Sequence, residues 1–429
     1  MLGLTDLRTS VSLVTLLLLF TLPTDANKPL LLVGSPLLYH RLIRRERNSS
    51  RGLVIASTGL FGLVPLLVQT RNKVIDGCVK GLSFFLLLRA WEATSIDRTV
   101  SSKWSLKDFV EFLVTSSNAA IRKREKKKRR KRGKKTGWEP ETVGPRERDL
   151  KWYAKTAVSV GLHYGIYAGA KTWTGKYGVS RVDAWFLPNP IEHWRAWVDH
   201  AVYGGMFYCT LYLAYTLGTL PLCVLLHAPF TEIFDHPVLS TSLREFWSRR
   251  WNYPVKCIFH RIAYEPIYTK LKPPGDGRAI QSVLAITAAT MSSFLFSALF
   301  HEYTLLLLLP ELDYSLRGRN FMFFAGHGLL VIFEGVWLRL IRRQGVSHSP
   351  FGMVVGWCWS MGTLWFLSPL FLGPYIESRV LEAGWVSECL INGLCKLFDF
   401  GAELGWHFME SCSKCFHGCC DLCANIILR

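Results

Sequence analysis

Long apolar runs alternate with short basic patches along most of the chain. The clearest runs lie at about 52–69, 75–92, 151–170, 199–227, 279–310, 320–341 and 351–374. Each approaches or exceeds the roughly 20 residues that a helix needs to cross a bilayer. They are unbroken rather than alternating, which predicts helices, since open sheets cannot span lipid. Two shorter apolar stretches come first, "VSLVTLLLLFTLPTDA" and "PLLLVGSPLLYH". The former is as long as a signal core but lacks a clearly basic flank, because Asp6 offsets Arg8. It reads as a short anchor or a signal-like segment. The predicted fold class is an all-α polytopic membrane protein with about eight or nine transmembrane helices.

Charge orients these spans. The net charge is +19 over 429 residues. The stretch "RKREKKKRRKRGKK" at 122–135 holds twelve basic residues against the single Glu125. With "RLIRRER" (41–47) in the cytosol, alternate crossings bring the 122–135 run, the segment 240–252 and "IRRQG" (341–345) to the same side. This is the positive-inside arrangement. The 122–135 run reads as a solvated cytosolic loop able to meet anionic lipid, at about 1 kcal/mol per basic residue. Nucleic acid is not an expected partner of so hydrophobic a chain. The expected organisation is an N-terminal membrane anchor or signal-like segment over 1–51, a transmembrane helix pair over 52–92 and a cytosolic loop with the polybasic run over 93–150. A core over 151–375 and a Cys-rich amphipathic tail over 376–429 follow.

Three segments carry chemistry. In "STSLREFWSRRWN" (240–252), Ser242 and Glu245 form a capping box, predicting a helix from Ser242 to about Pro254. On an α-helix Leu243, Trp247 and Trp251 share one face, and Arg249 falls four after Glu245 on another. The prediction is a short interfacial helix with an aromatic and a cationic face. It reads either as a juxtamembrane anchor with snorkelling arginines or as a mouth for a phosphorylated, acyl-carrying ligand. In "ITAATMSSFLFSALFHEYTLLLLLP" (286–310), His301 and Glu302 stand in a span with no other ionisable group for more than a dozen residues before them. Intramembrane ionisable groups are costly and mark function by default. Thr290, Ser293, Ser297, His301 and Thr304 make one polar stripe, predicted to face the bundle interior or a water-filled cavity. A histidine bonded to a neighbouring helix is the structural alternative. In "FFAGHGLLVIFEGVW" (323–337), His327 and Glu334 share a face, as an interhelical hydrogen bond, a buried acid–base pair or a catalytic pair.

The chain has no P-loop, no Rossmann glycine fingerprint and no GxSxG elbow. His301-Glu302 lacks the second His of an HExxH zinc site, so no metal is expected. A single intramembrane His with no adjacent Ser or Cys nucleophile favours general-base over covalent catalysis.

These segments, in this order, resemble the membrane-bound O-acyltransferases, and most closely their wax-synthase branch. "FDHPVLSTSLREFWSRRWN" (234–252) is similar to that branch's signature, "SSFLFSALFHEY" (292–303) to its histidine helix, and "FFAGHGLL" with a following Glu to its next helix. The resemblance covers roughly 195–375, and Ser248 stands where Gly is common. It implies tilted helices around a central reaction chamber in which Asn252 and His301 meet. It implies acyl transfer from acyl-CoA to the hydroxyl of a lipid-soluble alcohol, with acyl-CoA as co-substrate and no resident cofactor. His301 and Asn252 are then the catalytic residues. Trp247, Arg249, Arg250, Trp251, Ser297, Glu302 and His327 are the substrate-binding ones. The expected location is the endoplasmic reticulum membrane. A non-enzymatic lipid-binding or transport scaffold, or an enzyme acylating a sterol, diacylglycerol, terpenoid or protein, is the alternative.

The tail "ESCSKCFHGCCDLCANIILR" sets Cys412, Cys415, Cys419 and Cys423 on one helical face. Its two CxxC pairs are too close for a zinc ribbon. An amphipathic helix along the membrane is the expectation, with disulfides, S-acylation or metal as alternatives.

Overall fold

A computed structural model describes residues 39–40, 73–95, 103–115, 142–272, 279–309, 311–342 and 350–382. The chain divides into two units, Met1–Glu382 and Ala383–Arg429, and the described residues all lie in the first. The expected 52–69 span, most of the N-terminal anchor, the polybasic run at 122–135 and the Cys-rich tail after 382 lie outside them.

The described residues are mostly helical, in the order α1 (Lys73–Ser95), α2 (Leu106–Val114), α3 (Leu150–Tyr177) and α4 (Trp194–Leu225). Next come α5 (Tyr253–Phe259), α6 (Glu265–Leu271), α7 (Ala279–Leu308), α8 (Arg319–Arg342), α9 (Pro350–Phe366) and α10 (Ser368–Ser378). Two short strands, β1 (Thr142–Val143) and β2 (Phe230–Thr231), pair antiparallel. They tie the chain before α3 to the segment that opens the 234–252 motif.

Among the described residues, three stretches are long and apolar enough to cross a membrane: Trp194–Leu225, Gln281–Leu308 and Tyr314–Leu338. The α9–α10 pair makes a fourth if it counts as one bent span. The single helix expected over 351–374 is thus broken, with a bend of 40°. Pro369 explains the break, because it has no N–H to give the carbonyl of Trp365. The expected spans at 75–92 and 151–170 are helical but charged. Helix α1 carries Lys73, Asp76, Lys80, Arg89 and Glu92, and α3 carries Lys151, Lys155, Lys171 and Lys176.

The charges of α1 are used internally. Arg89 and Glu92 are 1% and 0% exposed, and Glu92 bridges both Arg89 and Arg261. Arg89 also donates to the Thr115 carbonyl and lies over the Phe112 ring. This network joins α1 and α2 to the turn between α5 and α6. Removing one member of such a network leaves an uncompensated buried charge, at about 3–5 kcal/mol.

Helices α7 and α8 form an antiparallel hairpin that holds much of the chemistry. Gly328 permits their close approach: a Cβ there would lie 2.9 Å from the Phe294 Cβ and 3.2 Å from the Met291 sulfur. Leu284, Leu295, Leu299 and Leu306 on the opposite side of α7 are exposed, as a lipid-facing surface requires.

Candidate active site

The polar stripe of α7 turns inward as its spacing predicts, with Ser297 buried and Thr290, Ser293, His301 and Thr304 half-buried. Part of it is self-satisfied: Thr304 Oγ1 donates to the Phe300 carbonyl at 2.9 Å, and Ser293 Oγ lies 3.4 Å from that of Ala289. His301 differs. Its Nδ1 lies 2.8 Å from the Ser297 carbonyl, with Ser297 Oγ at 3.4 Å. A carbonyl only accepts, so Nδ1 carries the proton and Nε2 presents a lone pair. Among the described residues nothing bonds to Nε2. The ring stacks on Phe324 at 4.1 Å and 25°, with the edge of Phe371 at 5.8 Å. Aromatic packing thus fixes the orientation of an imidazole whose Nε2 has no partner among the described residues.

His327 on α8 is held in the same manner, Nδ1 donating to the Phe323 carbonyl at 2.8 Å. It is 0% exposed, and its Nε2 lacks a partner among the described residues. Trp247 packs against it with ring centroids 5.5 Å apart, and the Trp247 Nε1–H is likewise buried and unpaired.

The 240–252 segment departs from the predicted interfacial α-helix. Ser242 does cap it, its Oγ accepting from the Glu245 N–H at 3.0 Å. After a single turn at Leu243–Glu245, residues Phe246–Arg250 wind as a π turn, closed by the Trp251 N–H to the Phe246 carbonyl at 2.9 Å. The wider repeat sets partners five apart rather than four. Phe246 therefore stacks on Trp251 at 5.3 Å and 17°, and Glu245 pairs with Arg250, not Arg249, at 2.8 Å. Leu243 is fully buried. Trp247 inserts among Phe294 of α7 and Phe323 and Phe324 of α8. The aromatic face is thus packed into the bundle.

The two arginines expected to bind substrate separate. Arg250 also reaches the carbonyls of Asp235 and His236 at 3.1 and 3.4 Å, so it ties the approach loop to the turn. That engagement is a structural use of a residue expected to hold substrate. Arg249 is exposed, and among the described residues its guanidinium has no hydrogen bond or ion pair.

Asn252 ends the turn in the left-handed region, with φ 39° and ψ 63°, and caps α5. Asn tolerates that conformation better than most residues. Its Oδ1 accepts from the Val255 N–H at 3.4 Å, which identifies the amide oxygen and leaves the Nδ2 donors without a partner among the described residues. Asn252 and His301 are linked through Trp251, Trp247 and Phe324. No hydrogen bond joins them among the described residues.

Glu302, expected to touch substrate, is occupied. Its two oxygens accept from the N–H groups of Gly318 and Phe321 at 2.9 and 3.0 Å, capping the start of α8. Glu334 makes bonds between elements, the first of the structural readings for that residue, and does not pair with His327. It accepts from the N–H groups of Leu243 and Arg244 at 2.8 and 2.9 Å and from Trp359 Nε1 at 3.0 Å. Sequence reasoning missed Phe324, Phe371 and Trp359. Nothing in their local spacing marks them, because their partners are far away along the chain.

Burial pushes the Glu245 carboxyl up. The bonds from the Thr241 N–H, Arg250 and the Thr241 hydroxyl outweigh burial and hold the group below its ordinary value.

A packed histidine whose Nε2 has no partner among the described residues, set in an apolar helical bundle beside a tryptophan-rich inserted turn, defines a membrane protein with a histidine-centred candidate site. Residues 230–326, which hold the turn and His301, match the model of the membrane bound O-acyl transferase family. The chain is 29% identical over 178 residues to the Arabidopsis thaliana protein named "Probable long-chain-alcohol O-fatty-acyltransferase 1", covering 41% of this chain and 48% of that one. It is 26% identical over 207 residues to the A. thaliana "Probable long-chain-alcohol O-fatty-acyltransferase 7", covering 47% and 55%. To the "Long-chain-alcohol O-fatty-acyltransferase" of Simmondsia chinensis it is 31% identical over 155 residues, covering 35% and 40%. The matched region spans about half the length of these relatives. Together these likenesses support the wax synthase-like branch of the family, as the motifs implied.

Proposed function

We propose that this protein is an acyl-CoA-dependent O-acyltransferase that esterifies a lipid-soluble alcohol, with His301 as general base. The observation that carries this reading is the committed Nδ1 of His301. With Nδ1–H held by the Ser297 carbonyl, Nε2 is the atom that takes the alcohol proton. The alkoxide oxygen attacks the thioester carbonyl, whose oxygen becomes anionic. The Nδ2 donors of Asn252 stabilise that charge or position the donor. Collapse expels the thiolate of coenzyme A, which recovers the proton from the imidazolium, and the ester leaves. No covalent enzyme intermediate, metal or resident cofactor is needed.

Trp247 and Trp251 shape the path of the acyl donor, and Arg249 supplies its charge. Ser297 and His327 line the chamber, where His327 Nε2 and the Trp247 N–H offer an acceptor and a donor. Arg250 and Glu302 serve these residues by holding the backbone in place. The printed names of the relatives favour a long-chain alcohol as acceptor. The reading includes about eight or nine helices around the chamber. It also places the protein in the endoplasmic reticulum membrane, with 240–252 on the cytosolic side and the 122–135 run there against anionic lipid.

The test uses microsomes expressing the wild type and His301→Ala, fed labelled acetyl-CoA and palmitoyl-CoA with a panel of fatty alcohol, sterol, diacylglycerol and terpenoid alcohol. The expected result is a labelled ester with wild type, reduced by at least about 100-fold in the variant. Full activity in the variant removes His301 as base. No ester from folded wild type with any pair favours the scaffold or protein-acylating alternatives.

A further inference from the structure

We infer that Glu334 is a positioning residue for the acyl transfer, setting how deeply the Trp247–Asn252 turn enters the bundle relative to His301. The inference rests on the function proposed above. Glu334 is 5% exposed and both of its oxygens are engaged, so it is not open to substrate. Two of its three donors are backbone N–H groups of the first turn after Ser242. Those groups have no intrahelical partner, and a carboxylate satisfies them through charge-assisted bonds. The third donor is the indole of Trp359 on α9. Two further contacts press α9 on the same stretch. Trp357 Nε1 donates to the Val238 carbonyl at 2.7 Å, and Gly356 lies against the Thr241 carbonyl.

This docking has a consequence seven residues along α8. Glu334 holds Leu243 and Arg244, whereas Trp247 meets His327 and Phe324. Positions 334 and 327 are about 10 Å apart along a helix axis. The turn therefore runs into the bundle beside α8, and its depth is indexed at Glu334. Helix α8 is itself indexed to the helix of His301 by Glu302. The two carboxylates thus relate three elements, and a slip at Glu334 shifts Trp247 and Asn252 against a base that has not moved.

Glu334→Gln keeps the size but sets an amide NH₂ where one oxygen accepts. The expected result is a kcat lower by about 100-fold, the cost of a misplacement of about 1 Å. The KM for the alcohol stays within about twofold, and the pH midpoint of kcat is unchanged because His301 remains the base. Trp359→Phe removes one bond and leaves both backbone bonds, so its kcat falls by a smaller factor, about three- to tenfold. Glu334→Asp, charged but one methylene shorter, falls between Gln and wild type. Wild-type kcat in Gln and Phe variants that melt normally overturns the inference. So does a displaced pH midpoint, which would place Glu334 in proton transfer. If Glu334→Gln fails to fold, unchanged kcat in Trp359→Phe alone overturns it.

A readout without ester separates the two claims. Ser248 lies exposed on the turn, and Ser248→Cys reports its accessibility to a water-soluble maleimide. Adding Glu334→Gln to Ser248→Cys should raise that labelling rate severalfold over Ser248→Cys alone, with the same two chains that keep Ser248 giving the background from the native cysteines. An unchanged rate overturns the positioning role. A raised rate in a protein whose wild type makes no ester supports the docking and refutes the proposed reaction.

Discussion

Gly356→Ala tests whether α9 acts as a lid on the motif or merely passes it. In a helix interior, replacing Gly with Ala is expected to stabilise by about 1 kcal/mol. The local geometry reverses that sign. An added Cβ would stand 2.3 Å from the Thr241 carbonyl oxygen, 3.3 Å from its carbon and 3.6 Å from the Thr241 Cβ. That is about 1 Å inside ordinary contact. The obstacle is backbone, and Thr241 cannot yield easily: its N–H and hydroxyl are bonded to Glu245 at 2.9 and 3.0 Å, and the preceding Ser240 is fully buried. Overpacking of this kind costs about 1–3 kcal/mol, so the net effect is destabilisation by up to about 2 kcal/mol. Gly362 on the same helix is the control, because a Cβ there meets nothing within 4 Å. Gly362→Ala should be neutral or gain up to about 1 kcal/mol. Thermal inactivation in detergent, followed as loss of monodisperse protein and of ester synthesis, ranks the three chains. The expected order is Gly362→Ala at or above wild type, with Gly356→Ala below both. Equal stability of the two variants would refute the reasoning, since propensity alone would then describe both sites.

Asn252→Asp keeps a cap oxygen and a residue tolerant of the left-handed backbone but removes the Nδ2 donors. It should leave helicity by circular dichroism unchanged and lower kcat by about 10²–10³ if those donors meet the oxyanion; wild-type kcat would confine Asn252 to capping. Arg249→Ala should raise the KM for acyl-CoA with little change in melting. Arg250→Ala should lower the melting temperature through its lost ties to Glu245, Asp235 and His236, and melting curves beside KM measurements reveal any exchange of these roles. The Glu245 carboxyl titrates below its ordinary 4.5, so its stabilisation is fully present above that value and lost as pH falls through the lower folded value. Glu245→Gln should therefore flatten the acid limb of a stability-against-pH profile, and an unaltered limb would show that the carboxylate bonds contribute nothing.

Much of the hairpin was legible because its signals are local. His301 stands out in α7 as an ionisable group in an apolar span, and the 3-4-4-3 polar spacing predicts its inward face correctly. Ser242 signals its cap through the residue three positions on. The π turn was not legible. Four-residue spacing of Leu243, Trp247 and Trp251 suits an α-helix, and only the closed ring from Phe246 to Trp251 shows the wider repeat. Arg250 therefore displaces Arg249 as the partner of Glu245. Other features depend on contacts between distant segments. Glu334 finds Leu243 and Arg244 about ninety residues away, Gly356 meets Thr241, and Glu92 meets Arg261. Periodicity along one helix does not specify which residues a second helix brings to it. Of the three readings of His327 and Glu334, the interhelical bond holds for Glu334, and the acid–base pair is not formed because sharing a helical face does not prevent a backbone elsewhere from claiming the carboxylate.

The polar groups within this bundle fall into two kinds, and membrane energetics explains why both are present. Lipid gives helices little hydrophobic reason to choose one register over another, so polar contacts between elements must set it. Glu302, Glu334, Glu92 and Arg250 do this, spending their hydrogen-bonding capacity on backbone groups, opposite charge and, for Glu334, an indole N–H. The second kind keeps an atom without a partner among the described residues; His301 Nε2, the Nδ2 of Asn252, His327 Nε2 and the Trp247 N–H are of this kind, the last two fully buried. A buried unsatisfied polar atom costs about 1–3 kcal/mol, so such groups would turn to new partners if their surroundings allowed it. His301 cannot, because its other nitrogen is bonded to Ser297 and its ring is held by Phe324. Trp247 is confined by Phe294, Phe323, Phe324 and His327. The committed carboxylates hold the elements in register, and the aromatic packing they establish keeps the open atoms from satisfying one another. For the proposed esterification that restraint matters, since polar atoms left without protein partners are the ones open to a hydroxyl and a thioester carbonyl.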